Sequence, residues 1–144
     1  MPYTDIISLS DAKIYLGVDD TSRDAEITRM IGSALSHLEK VTNIILFDRD
    51  ITYYYEDGCV RVYDHPINTA INDDVIVKKT YSIYSSASDN SITLNVGYAN
   101  SSEIPPNIVE VGYAILECLF DGGKTSDLSD NVKTMIHNIK RFIV

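Results

Sequence analysis

Ile51-Thr52-Tyr53-Tyr54-Tyr55-Glu56-Asp57-Gly58-Cys59-Val60-Arg61-Val62-Tyr63 is the stretch where apolar spacing changes from helical to alternating. Asp-Gly between two runs rich in β-branched and aromatic residues is a two-residue hairpin signal, because both central positions of that turn need positive φ. Pairing about Asp57-Gly58 sets Tyr55 opposite Val60 and Tyr53 opposite Val62. Tyr54 and Arg61 then share the other side with Thr52 and Tyr63. One face is apolar and the other mixed, as a one-sided antiparallel sheet requires. Val75 to Tyr84 and Ser91 to Tyr98 predict a second hairpin, in which Ile92, Leu94, Val96 and Tyr98 alternate with Thr93, Asn95 and Gly97.

Both flanks of this extended region are helical. On the N-terminal side, Ser8 caps a short helix with Asp11 three residues on. Leu9, Ala12, Tyr15 and Leu16 are its inner side, and Gly17 ends it. A long helix follows over 24–42, with Ile27, Met30, Ile31, Ala34, Leu35, Leu38 and Val41 along one face. At 1.5 Å per residue it is about 28 Å long, the width of a small domain. Glu39 and Lys40 are assigned to its other faces. On the C-terminal side, Pro106 suits the first turn of a third helix, with Ile108, Val111, Ile115 and Leu119 inward and Asp121-Gly122-Gly123 as the stop. Ser129 caps a fourth helix with a Val132, Met135, Ile136, Ile139 and Ile143 stripe. The fold class is α+β. About four helices form a small bundle, with an antiparallel sheet inserted between the second and third. The single domain divides into N-terminal helices over 1–50, a β insertion over 51–100 and C-terminal helices over 104–144.

A chain of 144 residues buries enough surface to need no disulfide or metal staple. Cys59 and Cys118 lack metal-ligand spacing and read as small buried residues of a reducing compartment. The N-terminus carries neither the basic nor the apolar part of a signal peptide, and no apolar run approaches a membrane span. The formal charge is −9. Residues 1–64 carry 12 acids and 6 bases, residues 65–130 carry 9 and 3, and residues 131–144 carry Lys133, Lys140 and Arg141 with no acid. An acidic body with a basic tail excludes a protein that grips nucleic acid over its whole surface.

Active-site templates fail. Gly122-Gly123 lacks the following Lys-Ser/Thr and the preceding strand of a phosphate loop, and HExxH, CxxC and GxSxG are absent. His37, His65 and His137 sit in different elements with no carboxylate at fixed spacing, so solvated or locally bonded histidines are favoured over catalysis. Asp19, Asp20 and Asp24 lack the alternation and central Gly of a calcium loop and suit a helix N-terminus instead. No cofactor or metal is expected. Tyrosine is in excess: ten against three Phe and no Trp. Strand propensity and interface use explain this equally, and Tyr54, Arg61, Tyr63, Tyr81 and Tyr84 are the candidate interface residues.

The order of segments resembles the head–tail connector (adaptor) proteins of tailed double-stranded DNA phages. Leu9-Ser10-Asp11-Ala12-Lys13-Ile14-Tyr15-Leu16-Gly17-Val18-Asp19 is similar to that family's opening helix. Asp24-Ala25-Glu26-Ile27 through Ala34, Leu38-Glu39 and Thr42-Asn43 is similar to its second. His65-Pro66-Ile67 resembles the step after its first hairpin, and Gly97-Tyr98-Ala99 through Ile104-Pro105-Pro106-Asn107-Ile108 the entry to its third helix. Members often end that helix in an aromatic-Asn-Arg-like run, where this chain has Leu119-Phe120-Asp121-Gly122-Gly123.

The resemblance implies a structural virion protein without catalysis, at the head–tail junction, assembled in the host bacterial cytoplasm. It implies a ring of identical subunits, twelve by resemblance, below the portal. The ring extends the DNA channel and docks the next neck or tail component. DNA would pass through the lumen without specific binding, and no membrane is involved. The C-terminal segment would engage the portal through Lys133, His137, Lys140, Arg141 and Phe142. The alternatives are another neck or tail-completion protein, or a small acidic ligand-binding or enzymatic α+β domain.

Overall fold

The computed structural model describes residues 2–69, 75–78 and 80–142, without the side chains of 141 and 142. Four helices carry the first core: α1 (Leu9–Leu16), α2 (Asp24–Thr42), α3 (Pro106–Phe120) and α4 (Asp130–Phe142). Their ends follow local chemistry. The Ser8 hydroxyl accepts the Asp11 N–H at 3.0 Å, and Gly17 closes α1 in the left-handed conformation at φ 71°. Asn43 closes α2 the same way at φ 59°. Pro106 opens α3, and Ser129 Oγ accepts the Val132 N–H at 3.4 Å at the start of α4.

The apolar stripes meet as their spacing predicts. Ile27, Ile31, Leu35 and Leu38 of α2 pack with Ile108, Val111, Ile115 and Leu116 of α3 and with Val132, Ile136 and Ile139 of α4. The α4 stripe therefore covers this domain's own core; Ile143 lies outside the described residues. Gly112 lets α3 lie close on α2, since a Cβ there would stand 2.8 Å from Leu35 Cδ2. Tyr15 does not turn inward. It reaches over the surface to α3, where its ring lies 4.8 Å from that of Tyr113 and its hydroxyl donates to Glu117 Oε2 at 3.1 Å.

Five strands fill the insertion: β1 (Arg49–Tyr54), β2 (Cys59–Val62), β3 (Val75–Val77), β4 (Ser82–Ser85) and β5 (Ser91–Val96). All pairs are antiparallel, but they form two sheets, β1-β5 and β2-β4-β3. The predicted turn is present: Asp57 and Gly58 have φ 51° and 79°, and Glu56 and Cys59 exchange backbone hydrogen bonds of 2.9 and 3.1 Å. The predicted ladder beyond it is not. Tyr53 pairs with Ile92 and Val60 with Tyr84. The second predicted hairpin is also corrected. β3 and β4 are two strands of their own hairpin, closed by Lys78 N–H to Tyr81 C=O at 2.9 Å, and β5 goes to β1.

The physical reason is burial. A single two-stranded ribbon is marginal in water and leaves its apolar face half open. Splitting at the turn lets Tyr53 and Tyr55 on one sheet enclose a second core together with Val60, Val62 and Tyr84 on the other, around Ile45, Leu94 and Val96. The alternation holds regardless of partner, because it belongs to each strand.

The two cores meet where α2 runs into β1. Ile45 N–H donates to His65 C=O at 2.8 Å and His65 N–H to Asn43 C=O at 3.0 Å. Glu39 is buried, contrary to its expected outer position. Its Oε1 accepts the Leu46 N–H at 2.7 Å, and its Oε2 accepts the Tyr3 hydroxyl at 2.9 Å and Arg49 at 3.4 Å.

Candidate functional site

Helix α4 sets Lys133, His137 and Lys140 at i, i+4 and i+7, so all three line one exposed face. That face borders α2 and forms a cleft of about 320 Å³. His37 and Val41 supply the α2 wall, and Thr125 and Leu128 close one end. Lys133 lies 3.7 Å from Asp130, too long and too exposed to tie it down. Burial and then the charge of Lys40 lower the pKa of His37 below the usual imidazole value. The helix backbone continues through Phe142, but the side chains of Arg141 and Phe142, also predicted contacts, lie outside the described residues. The α4 residues are those that the resemblance names as candidate contacts. His37 is not among them, and its only sequence signal is its i, i+4 relation to Val41.

Lys140 also borders a second, smaller cavity with Thr42, Asn43, Tyr63, His65 and Thr80. His65 Nδ1 lies 2.8 Å from the Tyr63 carbonyl oxygen, and its Nε2 is buried without a partner among the described residues. Burial lowers its pKa, against the smaller opposing effects of the Tyr63 carbonyl and Asp64. A depressed histidine pKa means the folded chain takes a proton less readily than the unfolded chain. Stability is therefore full above about pH 6.5, the ordinary imidazole pKa, and is lost as the pH falls below it. His37 acts with the same sign. Melting temperature should fall between pH 7 and 5, and His65→Asn should flatten that fall, which thermal denaturation across the range checks. An identical slope in the variant would remove His65 from the account.

The predicted tyrosine surface is only partly assembled. Arg61, Tyr63 and Tyr81 come together on the outer face of β2-β4-β3. The Tyr63 and Tyr81 rings are 5.4 Å apart, and the Arg61 guanidinium lies 5.6 Å from the Tyr81 ring centre. Ile76 of β3, 53% exposed, lies on the same face by register, since it and Arg61 both pair with Ile83. Tyr54 is 71% exposed but belongs to the β1-β5 sheet. Tyr84 is corrected: only 4% exposed, it packs into the second core because β4 lies centrally and turns it inward. Its hydroxyl has no hydrogen-bond partner among the described residues, and burial raises its pKa. Cys59 is likewise corrected, being exposed at the start of β2; Cys118 is half-buried.

Among the described residues, no group of three or more His, Cys, Asp or Glu could hold a metal ion, and no helix is long and apolar enough to cross a membrane. The arrangement offers two contact surfaces, a cationic cleft and an aromatic sheet face.

The sequence profile of the phage gp6-like head-tail connector proteins matches residues 6–116. The chain belongs to that family. The match runs from before α1 into the last turns of α3, so the basic helix α4 of this connector lies beyond it. No curated protein matches the connector chain. Among solved structures it is similar to a chain in the virion of a native gene transfer agent particle, at 11% identity and TM-score 0.66, covering 96% of this chain and 90% of that one. It is also similar to a chain in the neck of an empty gene transfer agent particle computed with C6 symmetry, at 12% identity and TM-score 0.67, covering 95% and 90%. At such identities the likeness is one of fold.

Proposed function

We propose that this connector is a non-catalytic ring subunit of the virion neck. It sits below the portal, extends the DNA channel and docks the next neck or tail component. The family match over residues 6–116 carries the reading, and the sixfold neck in which a chain of the same fold occurs supports a ring. A closed ring needs two different complementary patches on each subunit. The Arg61–Tyr63–Tyr81 face, rich in the residue types that anchor interfaces, is proposed as one side of the contact between subunits or with the neck partner, with Tyr54 at a separate contact. The α4 face with Lys133, His137 and Lys140, continued by Arg141 and Phe142, is proposed as the portal contact. The acidic body suits a wall past which DNA slides, because it repels phosphate within a Debye length, about 8 Å at physiological salt.

Mixing the purified connector with portal should give ring-sized complexes by mass photometry; a chain that stays monomeric in the presence of portal would overturn the reading. Lys133→Glu combined with Lys140→Glu should weaken portal binding about tenfold or more at low salt, with the difference shrinking as salt rises. Unchanged assembly across the salt series would remove α4 as an electrostatic contact.

A further inference from the structure

The cleft between α2 and α4 has a composition its surroundings lack. On a chain of charge −9, each titratable side chain lining it among the described residues is a lysine or a histidine. The basic groups come from two helices that meet only in the fold, with His37 on one wall and Lys133, His137 and Lys140 on the other. Lys140 makes no ion pair among the described residues, and Lys133 has only the loose approach of Asp130 at 3.7 Å. Val41, Leu128 and Ile136 give the cleft an apolar floor, and Thr125 adds a hydroxyl at its rim. A volume of about 320 Å³ is at the small end of binding clefts, room for one or two side chains and not for a whole helix.

We propose that this cleft receives an acidic peptide segment of the partner that α4 contacts, seating an aliphatic side chain on the Val41–Leu128–Ile136 floor while flanking carboxylates meet Lys133, Lys140 and the two histidines. The proposal rests on the portal-contact reading of α4 and narrows it to a ligand chemistry. A carboxylate is favoured over a nucleic-acid phosphate for two reasons. A phosphodiester backbone has nothing to place on an apolar floor. The acidic body around the cleft also repels a polyanion, whereas a short segment presents its charge locally. His37, half-buried and with a lowered pKa, is an imidazole N–H donor near neutral pH as well as a cation at lower pH.

The test uses the full chain and two synthetic peptides, Ac-Asp-Leu-Glu-Leu-NH2 and its uncharged counterpart Ac-Asn-Leu-Gln-Leu-NH2. The imidazole resonances of His37 and His137 are followed by NMR. The acidic peptide should shift both histidines saturably. The uncharged peptide should bind about tenfold more weakly or less, and Lys133→Ala with Lys140→Ala should weaken the acidic peptide by a similar factor. Both lysines are exposed, so the variant keeps its fold, which circular dichroism verifies. Equal binding of the two peptides, or no shift at either histidine, would overturn the proposal. So would a short DNA duplex shifting both histidines as the peptide does. Shifts that follow connector concentration without peptide would overturn it too, by assigning the cleft to a second copy. If portal rings still form while the acidic peptide fails, the ligand chemistry is wrong and the neck reading stands.

Discussion

Gly97→Ala is expected to cost about 4 kcal/mol or more, lowering the melting temperature by about 10 °C. Gly97 has φ 103°, a region closed to side chains, and a Cβ there would lie 2.1 Å from the Phe47 carbonyl oxygen, 2.4 Å from its carbon and 2.8 Å from Asp48 N. All three atoms are backbone, so no rotamer change relieves the clash. They are also held in place: Gly97 N–H donates to Pro66 C=O at 2.8 Å, Asp48 N–H to Tyr98 C=O at 3.0 Å, and the Asn68 amide to Gly97 C=O at 2.7 Å. The strand leaving the sheet at Gly97 runs directly under the chain that leaves α2 for β1.

Gly122→Ala is the control. Its φ of 85° carries a torsional cost of about 1 kcal/mol, but among the described residues no atom beyond its two chain neighbours lies within 4 Å of its Cβ position. Thermal denaturation of the two variants separates torsion from contact; equal losses would dismiss the close approach as the reason for Gly97. Net stability of a domain is about 5–15 kcal/mol, so this one methyl group would consume a large share of it, and any ring built from the chain would weaken with it.

The Gly97-Tyr98 pair was legible in the sequence as the end of the alternation over 91–98 and as part of a resemblance; the close approach of Phe47 gives the glycine a cause. The helices were legible in their own right. Their signals are local: Ser8 and Gly17 bound α1, Pro106 opens α3, and the stripes repeat every three or four residues. The segments that became β1, β2 and β5 were legible as strands, and their inward faces were correct, because alternation is fixed within each segment; the run over 75–84 is two strands and not one. Their partners were not. Alternation says which face is buried and nothing about which strand lies alongside, so the Asp57-Gly58 turn suggested a ladder that the demands of the second core break. The same limit applies to the surfaces. Lys133, His137 and Lys140 could be grouped from one helix, whereas His37, Val41 and Thr125 join them only through tertiary packing. Tyr84 shows the converse. Composition made it an interface candidate, and its place on a central strand made it core.

Glu39 is legible in part from its place in the α2 stripe. It continues the Ile27, Ile31, Leu35 row at the next step of four, so an acid stands where the core stripe should run. Such an acid must find donors, and it does: the N–H of Leu46, the hydroxyl of Tyr3 and the guanidinium of Arg49. These come from the N-terminal turn, the end of the bundle and the start of β1, so one carboxylate ties together three parts of the chain. Glu39→Ala should therefore cost about 3 kcal/mol. Most of that comes from the N–H of Leu46, a fully buried residue, which loses its Glu39 acceptor. Little comes from Arg49, which is exposed enough for water to replace the pair. Glu39→Gln keeps one acceptor oxygen for Leu46 and should cost about 1 kcal/mol. The Tyr3 hydroxyl supplies a second readout. Its pKa is raised by burial first and by the hydrogen bond to Glu39 second, so in Glu39→Gln it should fall part of the way back toward 10. Chemical denaturation and ultraviolet titration of the tyrosinates measure the two effects. Equal costs for the two substitutions, or a Tyr3 titration that does not move, would show that the carboxylate is not what joins the bundle to the sheets.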